Sequence, residues 1–158
     1  MPHNPPRSGS QRKADALAIL TAPQCDAWVA TTSLGDDDHP PRAQLVPLSL
    51  CWADDAVVLA TLRSSPTGTN LIATSRAVLT AGSTRDVVKI DATLARTVEV
   101  DDDDPVLAER FARQADWDPR AAGAEYLYFV LRPVRVQVWR EENEIAGRTL
   151  MRHGAWLV

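Results

Sequence analysis

The chain has 158 residues, 45% of them hydrophobic and 24% charged, with a formal net charge of −4. That length suits one domain able to bury roughly two-thirds of its unfolded surface without a disulfide or metal staple. The acidic balance and the absence of a Lys/Arg block argue against a nucleic-acid partner. No apolar stretch approaches the ~20 residues that span a bilayer. The opening MPHNPPRSGSQRK is polar throughout, so neither a membrane segment nor a secretory signal is expected and the default location is the cytoplasm. Cys25 and Cys51 are the only cysteines and are expected to be free structural thiols.

Residues 1–11, rich in Pro, Ser and Gly, are expected to form a disordered tail, and residues 12–158 a single domain. Arg12 to Leu20 predicts a short helix with Ala14, Leu17, Ala18 and Leu20 on one face, stopped by Ala22-Pro23. Asp26 to Ser33 alternates Trp28, Ala30 and Thr32 against Val29 and Thr31, the period of a strand. The turn-forming GDDDHPP leads into a second strand, Arg42 to Trp52. Ala53-Asp54-Asp55 then turns the chain into a third, Ala56 to Leu62.

Ser64 or Ser65 can cap a two-turn helix that starts at Pro66 and is weakened by Gly68. Strands over Arg76 to Gly82 and Asp86 to Val100 follow; in the second, Val88, Ile90, Ala92, Leu94, Val98 and Val100 keep one phase. The run Asp101 to Asp104 has the charge of a calcium loop but neither its ligand spacing nor its glycine, and is expected to cap a helix from Pro105 to Ala115. In the last long strand, from Tyr126 to Arg140, Tyr128, Val130, Val134, Val136 and Val138 share one parity against Arg135, Gln137 and Trp139. Arg132-Pro133 should bend it, because proline cannot donate to a ladder. A capping hairpin over Glu144 to Val158 ends the chain.

The common catalytic patterns are absent: no HExxH, no CxxC, no Gly-rich phosphate loop and no nucleophile elbow. His3, His39 and His153 fall in a tail, a loop and a turn, so no metal site is expected. What remains is a segment dense in hydroxyl, amide and cationic groups: Thr61, Arg63, Ser64, Ser65, Thr67, Thr69 and Asn70. Such groups at a helix N-terminus suit a phosphate, and they equally suit a bare helix cap. Trp139 and Arg140 could flank a flat anionic ligand, or be a core residue and a solvated strand end.

The segments WVATTS at 28–33, PRAQLVPLSLCW at 41–52, VVLATLRSSPTGTNL at 57–71, SRAVL at 75–79 and RPVRVQVWREENEIAGRTLMRHGAWL at 132–157 together resemble the pyridoxamine 5′-phosphate oxidase-like family. The resemblance implies a mainly β fold with α, the FMN-binding split barrel: a six-stranded antiparallel, Greek-key-like barrel with short flanking helices. It also implies a homodimer with a cofactor at the subunit interface. Thr61, Ser64, Ser65 and Asn70 match the phosphate-holding segment, with Arg63 and Thr67 beside them. Arg42, Val46 and Pro47 match the cofactor-facing second strand, and Trp139 and Arg140 would come from the facing subunit. Cations usual in the family near Thr67, Thr69 and Pro47 are missing here, and Arg63 compensates in part. The implied activity is an FMN-dependent, or deazaflavin-dependent, oxidoreductase acting on a small organic substrate. The alternative is a non-catalytic binder of a flavin, haem or other planar ligand. The cofactor's ring carries the chemistry in such proteins, so no catalytic side chain is assigned.

Overall fold

A computed structural model describes residues 4–101 and 104–158. The chain runs α1 (Gly9–Leu20), β1 (Asp26–Thr32), β2 (Ala43–Ala53), β3 (Ala56–Leu62), α2 (Pro66–Thr74), β4 (Arg76–Ser83), β5 (Asp86–Glu99), α3 (Pro105–Ala115), α4 (Pro119–Ala122), β6 (Tyr126–Trp139), β7 (Thr149–Arg152) and β8 (Ala155–Trp156). Strand order is β3-β2-β1-β4-β5-β6-β7-β8, and a further antiparallel pairing of β3 with β6 closes the first six strands into a barrel. The β3-to-β4 connection passes β2 and β1, and α2 is the crossover. This is the split-barrel architecture expected from the resemblance.

Local chemistry accounts for most element boundaries. Asp54 and Asp55 both adopt positive φ, 52° and 55°, as the tight β2–β3 hairpin demands. Ser65 caps α2 by accepting from Gly68 N, with Pro66 at the first helical position. Asp104 caps α3 by accepting from Leu107 N; the rest of the expected capping run, at positions 102 and 103, lies outside the described residues.

Two apolar cores form. One fills the barrel and includes Val29, Leu50, Leu59, Leu79, Ile90, Phe129 and Val136, with Ala16 and Leu20 of α1. The other lies outside the barrel wall, where Leu107 and Phe111 of α3 cover Cys51, Val58, Val98, Tyr128 and Val130. The expectation of one phase along β5 and one parity along β6 is therefore corrected. Register shifts between Leu94 and Arg96 and between Asp91 and Ala92 each insert an extra residue. One extra residue moves every later side chain to the opposite face. Val88 and Ile90 face the barrel interior while Val98 and Val100 face α3; likewise Val136 and Val138 face inward while Tyr128 and Val130 face outward. The second shift places Val134 as the extra residue beside Pro133, the bend anticipated at Arg132-Pro133.

The N-terminal region also differs from expectation. Helix α1 starts at Gly9, with Ser8 accepting from Gln11 N, and its buried stripe is Arg12, Ala16 and Leu20, so that of the expected face Leu20 is buried and Ala14, Leu17 and Ala18 are not. The expected tail is shorter, because Arg7 is tied down. Its Nε and Nη2 donate to the two carboxylate oxygens of Glu144 at 2.9 and 2.8 Å, and its Nη1 donates to Asp15 at 2.8 Å. Glu144 is 4% exposed and also accepts from the backbone N–H of Arg7 and of Arg140. Hydrogen bonding to Arg7 outweighs desolvation and holds the Glu144 carboxyl down to about 2.

A depressed carboxyl contributes stability that is complete above its ordinary pKa and is lost as pH falls toward the folded value. The melting temperature should therefore fall steeply between pH 4.5 and 2, the two ends of the Glu144 shift. Glu144→Gln should cost about 3 kcal/mol at pH 7, because it strands Arg7, and should flatten that acid slope. Thermal unfolding of both proteins across this range, followed by circular dichroism, checks it; equal slopes would remove Glu144 from the account.

Candidate functional site

Pairing of β2 with β3 covers only Leu50–Ala53 against Ala56–Leu59. Beyond it β3 continues along β6 as far as Leu62↔Tyr126, while Ala43–Ser49 of β2 pair with β1 alone. The barrel wall opens there, and α2 packs against β1, β2, β3 and β4 across that end. Arg42, Val46 and Pro47 lie along the opening on the β2 side and Thr61, Ser64 and Ser65 on the β3 side, whereas the Arg63 guanidinium reaches across β6 to Glu99 of β5. The sequence-derived candidates from these two segments thus flank a single opening.

Their side chains have different occupations. Ser65 Oγ accepts from Gly68 N at 2.9 Å and faces Leu62 O at 2.9 Å and Thr61 Oγ1 at 3.2 Å, so it serves the turn. Thr67 is 2% exposed, and Asn70 is buried with its amide donating to Thr31 Oγ1 at 3.1 Å. Both are buried, and Asn70 fastens α2 to β1. Ser64 and Thr69 are exposed, and Arg63 is exposed with Glu99 as its ion-pair partner. At the start of α2, Pro66 has no N–H, Gly68 N is capped and Thr69 N donates to Ser65 O. Most of the donors a phosphate could use are therefore already engaged.

Trp139 and Arg140 lie at the far end of β6. Trp139 pairs with Val87, thirteen positions from the Tyr126↔Leu62 pair, a separation of roughly 40 Å at strand rise. One chain does not bring them to the opening. Arg140 forms an ion pair with Asp86 at 2.9 Å, with Asp15 at 3.6 Å, and the Trp139 ring carries the Arg148 guanidinium 5.2 Å from its centroid.

A concavity of about 840 Å³ lies at the other end of α2, and no expected site residue lines it. Ala30, Leu34, Ala73, Val78 and Val134 give its apolar walls, and Arg76 its cation. It adjoins the opening through Pro41 and through Ser33, whose Oγ accepts from Arg42 N at 2.8 Å. Sequence reading missed it because its residues come from five separate segments; Val134 in particular enters only through the β6 bulge.

Other chemistry is limited. Burial pushes the Cys25 thiol up to about 11 and raises that of Cys51, so neither is a thiolate at neutral pH. Among the described residues no three His, Cys, Asp or Glu side chains converge as metal ligands, and no helix is long and apolar enough to cross a membrane.

No protein-family model and no curated protein matches the sequence. Solved structures do. An F420 reductase superposes with a TM-score of 0.57 at 14% identity, covering 75% of this chain and 93% of its own. General Stress Protein 26 of Bacillus anthracis gives 0.60 at 16% identity, covering 82% and 95%. A heme-binding protein from Mycobacterium smegmatis gives 0.59 at 20% identity and covers 94% of this chain, which spans 59% of that longer protein. At these identities what is shared is the fold.

Gly68 decides whether α2 can sit in the opening. A Cβ there would collide with the carbonyl oxygen of Leu62 and stand 2.9 Å from that of Arg63, both rigid backbone. Alanine is favoured over glycine in helices by about 1 kcal/mol, yet Gly68→Ala should destabilise, by about 2 kcal/mol or more, since overpacking against backbone outweighs propensity. Urea unfolding measures it, and a stabilised variant would mean that α2 packs differently.

Proposed function

We propose that the chain binds a flavin-class cofactor, FMN or the deazaflavin coenzyme, as an oxidoreductase on a small organic substrate, with its phosphate end at the opening between β2 and β3. The observation that carries the reading is the opening itself, bordered by Arg42 on one side and by Ser64 and Thr69 on the other. These residues fit a phosphate: the exposed Ser64 and Thr69 hydroxyls and the Arg42 guanidinium can donate to it, while Arg63 is held by Glu99. The isoalloxazine ring, when bound, supplies hydride or electron transfer, while the protein positions it. The known F420 reductase and heme-binding protein of the same fold support a planar redox ligand.

The reading includes a homodimer. The surface suited to it is not the long terminal strand, because Tyr128 is 1% exposed beneath Phe111. It is the outer face of β2, β1 and β4, where register sets Leu45 beside Ala30 and Val78, and Pro47 beside Trp28. Trp28 is 54% exposed and Leu45 60%, adjacent apolar groups of the kind that mark contact surfaces. A second copy would be the source of a Trp139 near the opening. Arg140 is left out of the ligand set, being paired with Asp86.

One observation favours the alternative, a non-catalytic binder of a planar ligand. The donors of the first turn of α2 are largely self-satisfied and Arg63 is paired with Glu99, so phosphate affinity is modest.

Fluorescence titration with FMN and with the deazaflavin coenzyme is the direct test. A cation restored at exposed Thr69 should tighten FMN binding by about tenfold through a charge-assisted contact, whereas a lysine at buried Thr67 would instead destabilise the fold. An unchanged affinity for Thr69→Lys would move the phosphate elsewhere. Light scattering should give twice the 17.3 kDa chain mass, and Trp28→Asp with Leu45→Asp should halve it.

A further inference from the structure

The groove beside α2 has features of a ligand site independent of the cofactor reading. Its volume, about 840 Å³, falls within the range of small-molecule sites. Its one carboxylate, Asp91, is neutralised twice over: Lys89 Nζ donates to Oδ1 at 2.8 Å and Arg135 Nε to Oδ2 at 2.8 Å. Arg76 lines the same groove and, among the described residues, has no ion-pair partner; its recorded bond is a backbone one to Thr74 Oγ1. With Asp91 held by Lys89 and Arg135 from outside the lining, Arg76 is left as the uncommitted charge of this concavity among the described residues. The Thr32 and Thr93 hydroxyls stand on the same lining. The same lining includes the apolar surfaces of Leu34, Ala73 and Val134.

We infer that this groove binds a small organic anion with a flat apolar body, an aromatic carboxylate or sulfonate. Arg76 takes the acid group and the Leu34–Ala73–Val134 walls take the ring. Water competes poorly for such a ligand, because the ring removes apolar surface from solvent while the anion keeps a guanidinium partner. Ala30 and Val78 belong both to the groove and to the outer face of β1 and β4, so a second copy on that face borders the site.

The test uses the full chain, 2-naphthoate as probe and neutral 2-naphthylmethanol as its control, in isothermal titration. Naphthoate should bind more tightly than the alcohol. Arg76→Gln should weaken naphthoate by about tenfold and leave the alcohol unchanged, while Ala73→Trp, filling the groove from an exposed position, should abolish binding of both. Circular dichroism melts of the two variants, both at exposed positions, confirm that they fold. Saturating FMN should leave naphthoate affinity unchanged, whether or not FMN binds. No binding by the wild-type chain at millimolar probe, equal affinity in both variants, or displacement by FMN would each overturn the assignment, the last by giving the groove to the cofactor.

Discussion

Strand β6 is the element on which the rest of the structure depends. It pairs with β3 on one edge and β5 on the other over its first half, and with β5 and β7 over its second. Its opening residues are buried on both faces: Leu127, Phe129 and Leu131 in the barrel, Tyr128 and Val130 beneath α3. Each such large side chain contributes about 1.5–3 kcal/mol of burial, so this strand gathers an unusual share of both cores. The continuous apolar run YLYFVL is the signature of a strand with no solvated face. One cost is visible. The Tyr128 hydroxyl is buried without a hydrogen-bond partner and desolvation raises its pKa. Phe111 packs edge-on against its ring at 5.4 Å, an arrangement favourable beyond area alone.

The opening follows from that strand. Val57, Val58 and Leu59 pair with β2 on one edge and β6 on the other, but past Leu59 β3 follows β6 alone, and Ala43–Ser49 keep an edge without a strand partner. An unpaired sheet edge invites aggregation unless it is covered. Helix α2 provides the cover, and its sequence is fitted to the task. Ser65 and Pro66 start it abruptly after β3, Gly68 allows its first turn to touch the carbonyls of residues 62 and 63, and Asn70 fastens it to Thr31 of β1. The hydroxyl-rich segment therefore has a structural duty first. Only its outward members, Ser64 and Thr69, remain for a ligand.

Which features were legible in the sequence depends on how local their causes are. The caps at Ser65 and Asp104, the aspartate turn at residues 54 and 55 and the bend at Pro133 are set by neighbouring residues, and all can be read directly. Phase along β5 and β6 is not local. Periodicity identifies a strand, but the bulges that flip Val98 and Tyr128 to the outer core arise from pairing between distant segments. Glycine 68 looked like a helix weakness because propensity sees no neighbour, whereas the carbonyls of Leu62 and Arg63 make it a requirement. Thr67 and Asn70 were chemically suited to a ligand, and only packing reveals that they are buried. Arg7 belonged to a polar, proline-rich stretch, and its anchor Glu144 lies 137 residues away.

The same distances decide where anions can bind. At the Trp139 end three arginines are committed: Arg7 to Glu144 and Asp15, Arg140 to Asp86, and buried Arg12 to the carbonyls of Val138 and Glu144 at 3.4 Å. Freeing any of them would leave a carboxylate or a carbonyl unpaired in a partly dry environment, a penalty that an exposed ligand does not repay. At the α2 end the balance is reversed. Arg42 and Arg76 are exposed and have no ion-pair partner among the described residues, and Asp91, the nearby acid, is saturated by Lys89 and Arg135. An anion arriving there gains a guanidinium without breaking an existing pair. One end of the barrel thus commits Arg7, Arg12 and Arg140 to holding the N-terminal helix in place, whereas at the end covered by α2 Arg42 and Arg76 carry no ion pair among the described residues.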